Sequence, residues 1–288
     1  MWLLSSPPLR HSARLLSLAG LASPLMTAPT AARSLNFLTI QPTFTVHDWT
    51  LAKPLMEECL EATRREAGCL FYGWTATGDR PGDKLFCREG YTDAAAARAH
   101  LDAVSPTLQR MLRDGAASLD EISVHAPRSQ LEACKDAFEP LGATFFEIES
   151  GFCSFSQQGG GVEAAQQICS IQPYLLVHDW AKARPLMDEC VARSRNEDKC
   201  LWYGWTRSGD RIFCREAYTT GEGALEHLAN VGAVVEKLTS NGVATVERFE
   251  FHAPAEDVAK CKEVMDPLGA TYFILQSGFQ KFESDCKY

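Results

Sequence analysis

The chain has 288 residues, 45% of them hydrophobic and 23% charged, which fits a packed globular protein of roughly two domains at about 150 residues each. A formal charge of −9 excludes the broad basic footprint that nucleic-acid partners or anionic membrane surfaces require.

Residues 1–36 differ from the rest. They hold no Asp, Glu or Lys, but they carry Arg10, Arg14 and Arg33 and six serines. Such a segment reads as a removable organellar transit peptide, for a mitochondrion or a plastid. Its apolar run from Leu15 to Met26 is broken by Gly20, Ser23 and Pro24 and is too short to span a bilayer. A secretory or bipartite plastid leader and a disordered tail are the alternatives.

The remainder is one sequence written twice. Residues 41–79 match 172–210 and residues 86–155 match 213–282, with 22 identities in 39 pairs and 27 in 70. The expected divisions are a leader at 1–36, a first unit at 37–155, a tether at 156–167 and a second unit at 168–283. The tether holds Gly159, Gly160 and Gly161 and is expected to be flexible.

In chain order, the first unit opens with an apolar strand at Phe37–His47. A helix capped at Asp48 or Thr50 follows, with the stripe Leu55, Met56, Cys59 and Leu60. Cys69–Thr75 and Leu85–Tyr91 read as short strands, separated by a turn containing Gly78 and Asp79. Asp93–Asp114 reads as a second helix, with Ala97, His100, Leu101, Val104, Leu108 and Met111 at helical spacing and Gly115 ending it. A strand at Leu119–Ala126, a helix at Ser129–Glu139 and a strand at Thr144–Phe152 complete the unit. This order predicts an α+β fold with two tandem ferredoxin-like units, each an antiparallel sheet covered on one face by helices. Each unit alone leaves the other sheet face bare, so the two are expected to close on each other as a single-chain pseudo-dimer.

Three stretches carry a family resemblance. EAGCLFYGW at 66–74 recurs as EDKCLWYGW at 197–205, FCREGYTDAAAARAH at 86–100 recurs as FCREAYTTGEGALEH at 213–227, and HAPRSQLEACKDAFEPLGATFF at 125–146 recurs at 252–273. They resemble the antibiotic biosynthesis monooxygenase family of dimeric α+β barrels. The resemblance implies a ligand pocket in each unit between helices and sheet, and oxygenation of phenols, anthrones or quinols without metal or flavin. It also implies haem binding as an alternative, since some relatives bind haem. Tyr91 and Tyr218 stand where several active members have Trp, and no Asn at the start of the first strand matches a catalytic one.

Six of the seven histidines form three matched pairs, His47/His178, His100/His227 and His125/His252. His100 and His227 lie on the apolar stripe of the second helix, where a neutral imidazole can serve as a base. Tyr72 and Trp74 share one face of a strand, as do Tyr203 and Trp205. Glu89 with Tyr91, and Glu216 with Tyr218, do the same on the next strand. The candidate catalytic residues are therefore His100, His227, Glu89 and Glu216. The candidate substrate-binding residues are Tyr72, Trp74, Tyr91, Tyr203, Trp205 and Tyr218, around a small aromatic molecule and O2. In the plainer reading of the same residues, the aromatics fill the core and a Glu–His pair locks helix to sheet.

Arg88 and Arg215 point to the opposite sheet face and are poor partners for Glu89 and Glu216. His125, before Ala126 and Pro127, is expected to stabilise a turn. No His or Cys pair has the spacing of a local metal site, so no metal is expected. Three functions stay open: a cofactor-independent monooxygenase, a binding protein for a small aromatic or haem-type ligand, and a structural module. The cysteines fall on apolar faces as small reduced core residues.

Overall fold

The computed structural model describes residues 33–284 and residue 286, so the expected leader lies outside the described residues except for its last four. The first repeat contains β1 (Arg33–Ser34), β2 (Leu38–Val46), α1 (Trp49–Thr63), β3 (Cys69–Ala76), β4 (Lys84–Tyr91), α2 (Ala94–Arg113), β5 (Ala117–Ala126), α3 (Arg128–Phe138) and β6 (Thr144–Cys153). The second contains β7 (Ala164–Ala165), β8 (Ser170–Val177), α4 (Trp180–Ser194), β9 (Cys200–Ser208), β10 (Arg211–Tyr218), α5 (Gly221–Leu238), β11 (Ala244–Ala253), α6 (Ala255–Met265) and β12 (Thr271–Gln280).

Local chemistry sets the element ends. Asp48 and Asp93 are extended N-cap residues whose carboxylates accept from the first free backbone N–H groups of α1 and α2. Gly115, at φ +76°, turns the chain out of α2. The face of α2 that packs on the sheet is Ala97, His100, Val104, Thr107 and Met111, with Leu101 and Leu108 at its margin.

Ten strands close into a ring in the order β6-β5-β2-β4-β3-β12-β11-β8-β10-β9, and β9 returns to β6. The expected antiparallel sheets need correction at two places, because β5 pairs with β6, and β11 with β12, in parallel. The reason lies in the connection: α3 and α6 are crossover helices that carry the chain back to the end where the preceding strand began. The two sheets also do not simply stack. Each closing strand is shared, so that Thr144–Glu147 pairs with β5 of its own repeat while Glu147–Cys153 pairs with β9 of the other. β12 does the same with β11 and β3.

Glycine makes these junctions possible. Gly151 sits opposite Gly204, and Gly278 opposite Gly73. A Cβ on Gly204 would stand 2.5 Å from the Ser150 carbonyl oxygen, and one on Gly278 2.9 Å from Gly73 Cα. Only a residue without a side chain allows backbones to approach this closely.

The joining segment is not the free tether that its glycines suggest. β7 pairs with β12, and Gln166 is buried and donates its backbone N–H to the Gly278 carbonyl. The fold also begins earlier than Phe37, since β1 pairs with β6 and Leu35 is buried.

A pseudo-twofold axis relates the repeats, and equivalent residues meet on it. Phe71 stacks on Trp202 with ring centroids 5.1 Å apart and planes 8° apart, and Phe155 stacks on Phe282 at 4.1 Å. Glu121 pairs with Arg248, the same position in the other copy. Two apolar cores lie between helices and sheet, one per repeat, and a third cluster of Leu35, Phe37, Phe71, Trp202, Phe155 and Phe282 lies on the other side of the wall. All eleven cysteines are free, ten of them buried. Among the described residues no helix is long and apolar enough to cross a membrane.

Candidate active site

Strand alternation sends Tyr72 and Trp74 of β3, and Cys87, Glu89 and Tyr91 of β4, toward the helices, while Phe71, Phe86 and Arg88 point inward. His100 descends from α2 onto the helix-facing set. Its Nε2 lies 2.9 Å from Glu89 Oε2 and its Nδ1 lies 3.1 Å from Glu66. Tyr91 donates its hydroxyl to the same Glu89 oxygen. Tyr72 and Tyr91 flank the imidazole, with centroids 5.5 and 5.0 Å away. The second repeat rebuilds this with His227, Glu216, Glu197, Tyr218 and Tyr203. Trp74 and Trp205 stand one ring further out, edge-on to Tyr72 and Tyr203.

The predicted His, Glu and Tyr residues are thus in contact, but the charge state differs from expectation. Burial alone lowers an imidazole pKa, yet Glu89 and Glu66 outweigh it and raise His100 to about 9. His227 is raised to about 9 against the same burial term by Glu216 and Glu197. Both histidines are imidazolium at neutral pH, so the closed arrangement contains no neutral base. Burial, reinforced by the neighbouring carboxylate, likewise pushes the Tyr91 and Tyr218 hydroxyls well above their ordinary range.

The second carboxylate of each cluster was missed as a site residue. Glu66 and Glu197 are the acidic residues of the EAGCLFYGW and EDKCLWYGW stretches, and their recurrence at one place was the available signal. Their side chains are also the least buried members, at 17% and 11% exposed against 3–5% for the other ion-paired groups. A surface depression of about 470 Å³ lies against the second cluster, lined by Glu197, Asn196, Asp198, Arg193, Glu226 and Asn230. It stops at Glu197, and His227 lies one hydrogen bond behind.

His125 and His252 are not turn residues. Both are fully buried on the inward face, stacked on Phe146 and Phe273, and bonded through Nδ1 to Thr206 and Thr75 of the opposite repeat. Burial, helped by Arg215, pushes His125 well below its ordinary range and keeps it neutral. His47 remains at the strand end beside Ser118, as its position predicts. Among the described residues no group of three or more His, Cys, Asp or Glu is placed to hold a metal ion.

No family model matches the chain, and no curated protein matches it in sequence. Solved structures do match. A candidate monooxygenase of Fusobacterium nucleatum aligns over 88% of this chain and 96% of its own, with a TM-score of 0.54 and 12% identity. The fold is a ten-stranded α+β barrel closed within one chain, and the likeness to this structure is one of fold. MupZ of Pseudomonas fluorescens aligns with 38% of this chain and 87% of its own, at 24% identity and a TM-score of 0.36. An anthrone oxidase-like protein aligns over 73% of this chain and 89% of its own, at 9% identity and a TM-score of 0.40. At these identities the likeness speaks for fold and not for substrate.

Proposed function

We propose that the chain is a cofactor-independent monooxygenase of small phenolic or quinol-like molecules, with one site per repeat at the His–Glu–Tyr cluster. The observation that carries this reading is the contact between the depression and the cluster: Glu197 lines the first and is bonded to His227 Nδ1 in the second. A phenol entering from this side replaces the Glu197 carboxylate on His227. With one carboxylate partner instead of two, the imidazolium pKa falls and its Nδ1 proton passes to solvent. The neutral nitrogen then takes the phenol proton, and O2 places one oxygen on the electron-rich ring while two hydrogens of the substrate leave with the other as water. Tyr203 and Tyr218 supply the stacking surface. The cofactor-free character follows from the family resemblance.

Oxygen uptake with a panel of quinols and anthrones tests this. Turnover that falls by at least about a hundredfold in His100→Asn/His227→Asn fits the size of an acid–base contribution. Unchanged turnover removes the proposed role. Haem titration separates the haem-binding alternative, for which a Soret shift is the required signal.

One observation favours the structural reading instead. Both nitrogens of each buried imidazole are already bonded, which is what a lock between helix and sheet requires. Loss of stability in the histidine variants of a chain with no turnover on any substrate would favour it. The leader's organellar address is tested by fusing residues 1–36 to a fluorescent protein.

A further inference from the structure

Arg88 and Arg215 occupy matched positions on the inward faces of β4 and β10, each only 2% exposed. Their hydrogen-bond partners are backbone carbonyls. Arg88 donates to Ile168 at 3.2 Å and His252 at 3.4 Å, and Arg215 to Phe37 at 3.1 Å and His125 at 3.4 Å. No carboxylate among the described residues pairs with either. An uncompensated buried charge is costly, and burial lowers Arg88 to about 10 and Arg215 to about 9.

The two differ in what they leave open. Arg88 leaves Nε without an acceptor, whereas Arg215 leaves both Nε and Nη2. Those two N–H groups run parallel along one edge of the guanidinium, the edge that engages a carboxylate with two bonds at once.

One layer outward, the barrel mouth opens. A depression of about 420 Å³ is lined by Tyr174, Phe146, Ser123 and Arg248, among others, and draws on both repeats. Tyr174 packs on Phe213, and Phe213 on His125, whose carbonyl accepts from Arg215. Arg248 and Arg211 at this mouth are paired with Glu121, Glu250 and Glu247, whereas Arg215 below meets two carbonyls and the Phe37 ring but no carboxylate.

We propose that the barrel interior is a binding site for a small carboxylate, received by Arg215 through Nε and Nη2 and entered through the mouth lined by Tyr174 and Phe146. The ring layer of Tyr174, Phe213, His125 and Phe146 contacts the apolar body of the ligand. This site lies on the opposite face of the sheet from the His–Glu–Tyr clusters and stands independently of them.

Isothermal titration calorimetry of the full chain with acetate and benzoate, against benzamide and chloride, tests it. The carboxylates are expected to bind at millimolar concentration or below, with the neutral benzamide at least about tenfold weaker, as loss of a charge-assisted pair implies. Arg215→Met is expected to abolish carboxylate binding in a chain that stays folded, because the loss of a buried charge offsets the two carbonyl bonds given up. Arg88→Met is expected to bind as the wild type does. Absence of carboxylate binding to the wild type, or equal binding by Arg215→Met, overturns the proposal. Should Arg215→Met not fold, Arg215→Lys keeps the charge without the two-pronged edge, and wild-type affinity in that variant overturns the proposal equally.

Discussion

The two faces of the barrel wall compare instructively. On the helix-facing side the repeats carry the same site residues: His100 and His227, Glu89 and Glu216, Glu66 and Glu197, Tyr72 and Tyr203, Tyr91 and Tyr218. On the inward side some equivalent positions agree, as Arg88 with Arg215, His125 with His252 and Phe155 with Phe282, while others differ, with Ser123 against Glu250, Thr43 against Tyr174, Phe71 against Trp202 and Glu121 against Arg248. The difference follows from geometry. The outward clusters lie far from the axis and each is completed within one repeat, so each is a self-sufficient unit. Phe71 with Trp202, and Glu121 with Arg248, meet across the axis, where two different side chains can fit together better than two copies of one.

The sharpest way to break the comparison is at the junction that joins both faces. Gly204→Val sets a side chain into the Ser150 carbonyl, so loss of the closed barrel is expected, seen as loss of cooperative unfolding by circular dichroism. Next in size is Trp202→Ala, which removes a buried ring stacked on the axis. A cost of about 3–5 kcal/mol in denaturant titration is expected, the usual range for such truncations.

The outward clusters give a pH signature of their own. The folded pKa of His100 and His227, about 9, lies above the unfolded value of about 6.5. Their stabilisation is therefore fully present below about pH 6.5 and is lost as the pH rises through 9. Each histidine contributes a slope of up to about 1.4 kcal/mol per pH unit in that window. Urea titrations at pH 6.5 and 9.5 should show the wild type weakening, while His100→Asn/His227→Asn changes much less. Burial pushes Cys59 and Cys190 to about 12, above the unfolded thiol value, so both proteins share a further weakening above about pH 8.5 and the histidine contribution is the difference between them. The smallest effect is expected at Glu121 and Arg248, which are partly exposed. Glu121→Gln should cost below about 1 kcal/mol, since Arg248 keeps its pair with Glu250.

Much of the fold was legible because period and punctuation agreed. The stripe on α2 announced which face would meet the sheet, and Asp93 and Gly115 marked its ends. Strand alternation assigned Tyr72, Glu89 and Tyr91 to one face and Arg88 to the other. What escaped was non-local. The sharing of β6 and β12 between repeats depends on a register that no local pattern encodes, and its one trace was the glycine inside Ser-Gly-Phe and Tyr-Gly-Trp. The charge of His100 escaped for the same reason, since Glu66 and Glu89 reach it from 34 and 11 residues away. His125 looked like a turn residue because Pro127 follows it, but its environment is set by Phe146 and by Thr206 of the other copy.

The junctions β3–β12 and β6–β9 have a consequence for concentration. In a barrel assembled from two separate chains these pairings would be bimolecular, and dilution would expose four strand edges to any other sheet in solution. Here both pairings form between segments of one polypeptide, so closure follows first-order kinetics and is as complete at nanomolar as at micromolar protein. The cell can therefore hold this barrel at trace abundance without the open-edged half ever accumulating.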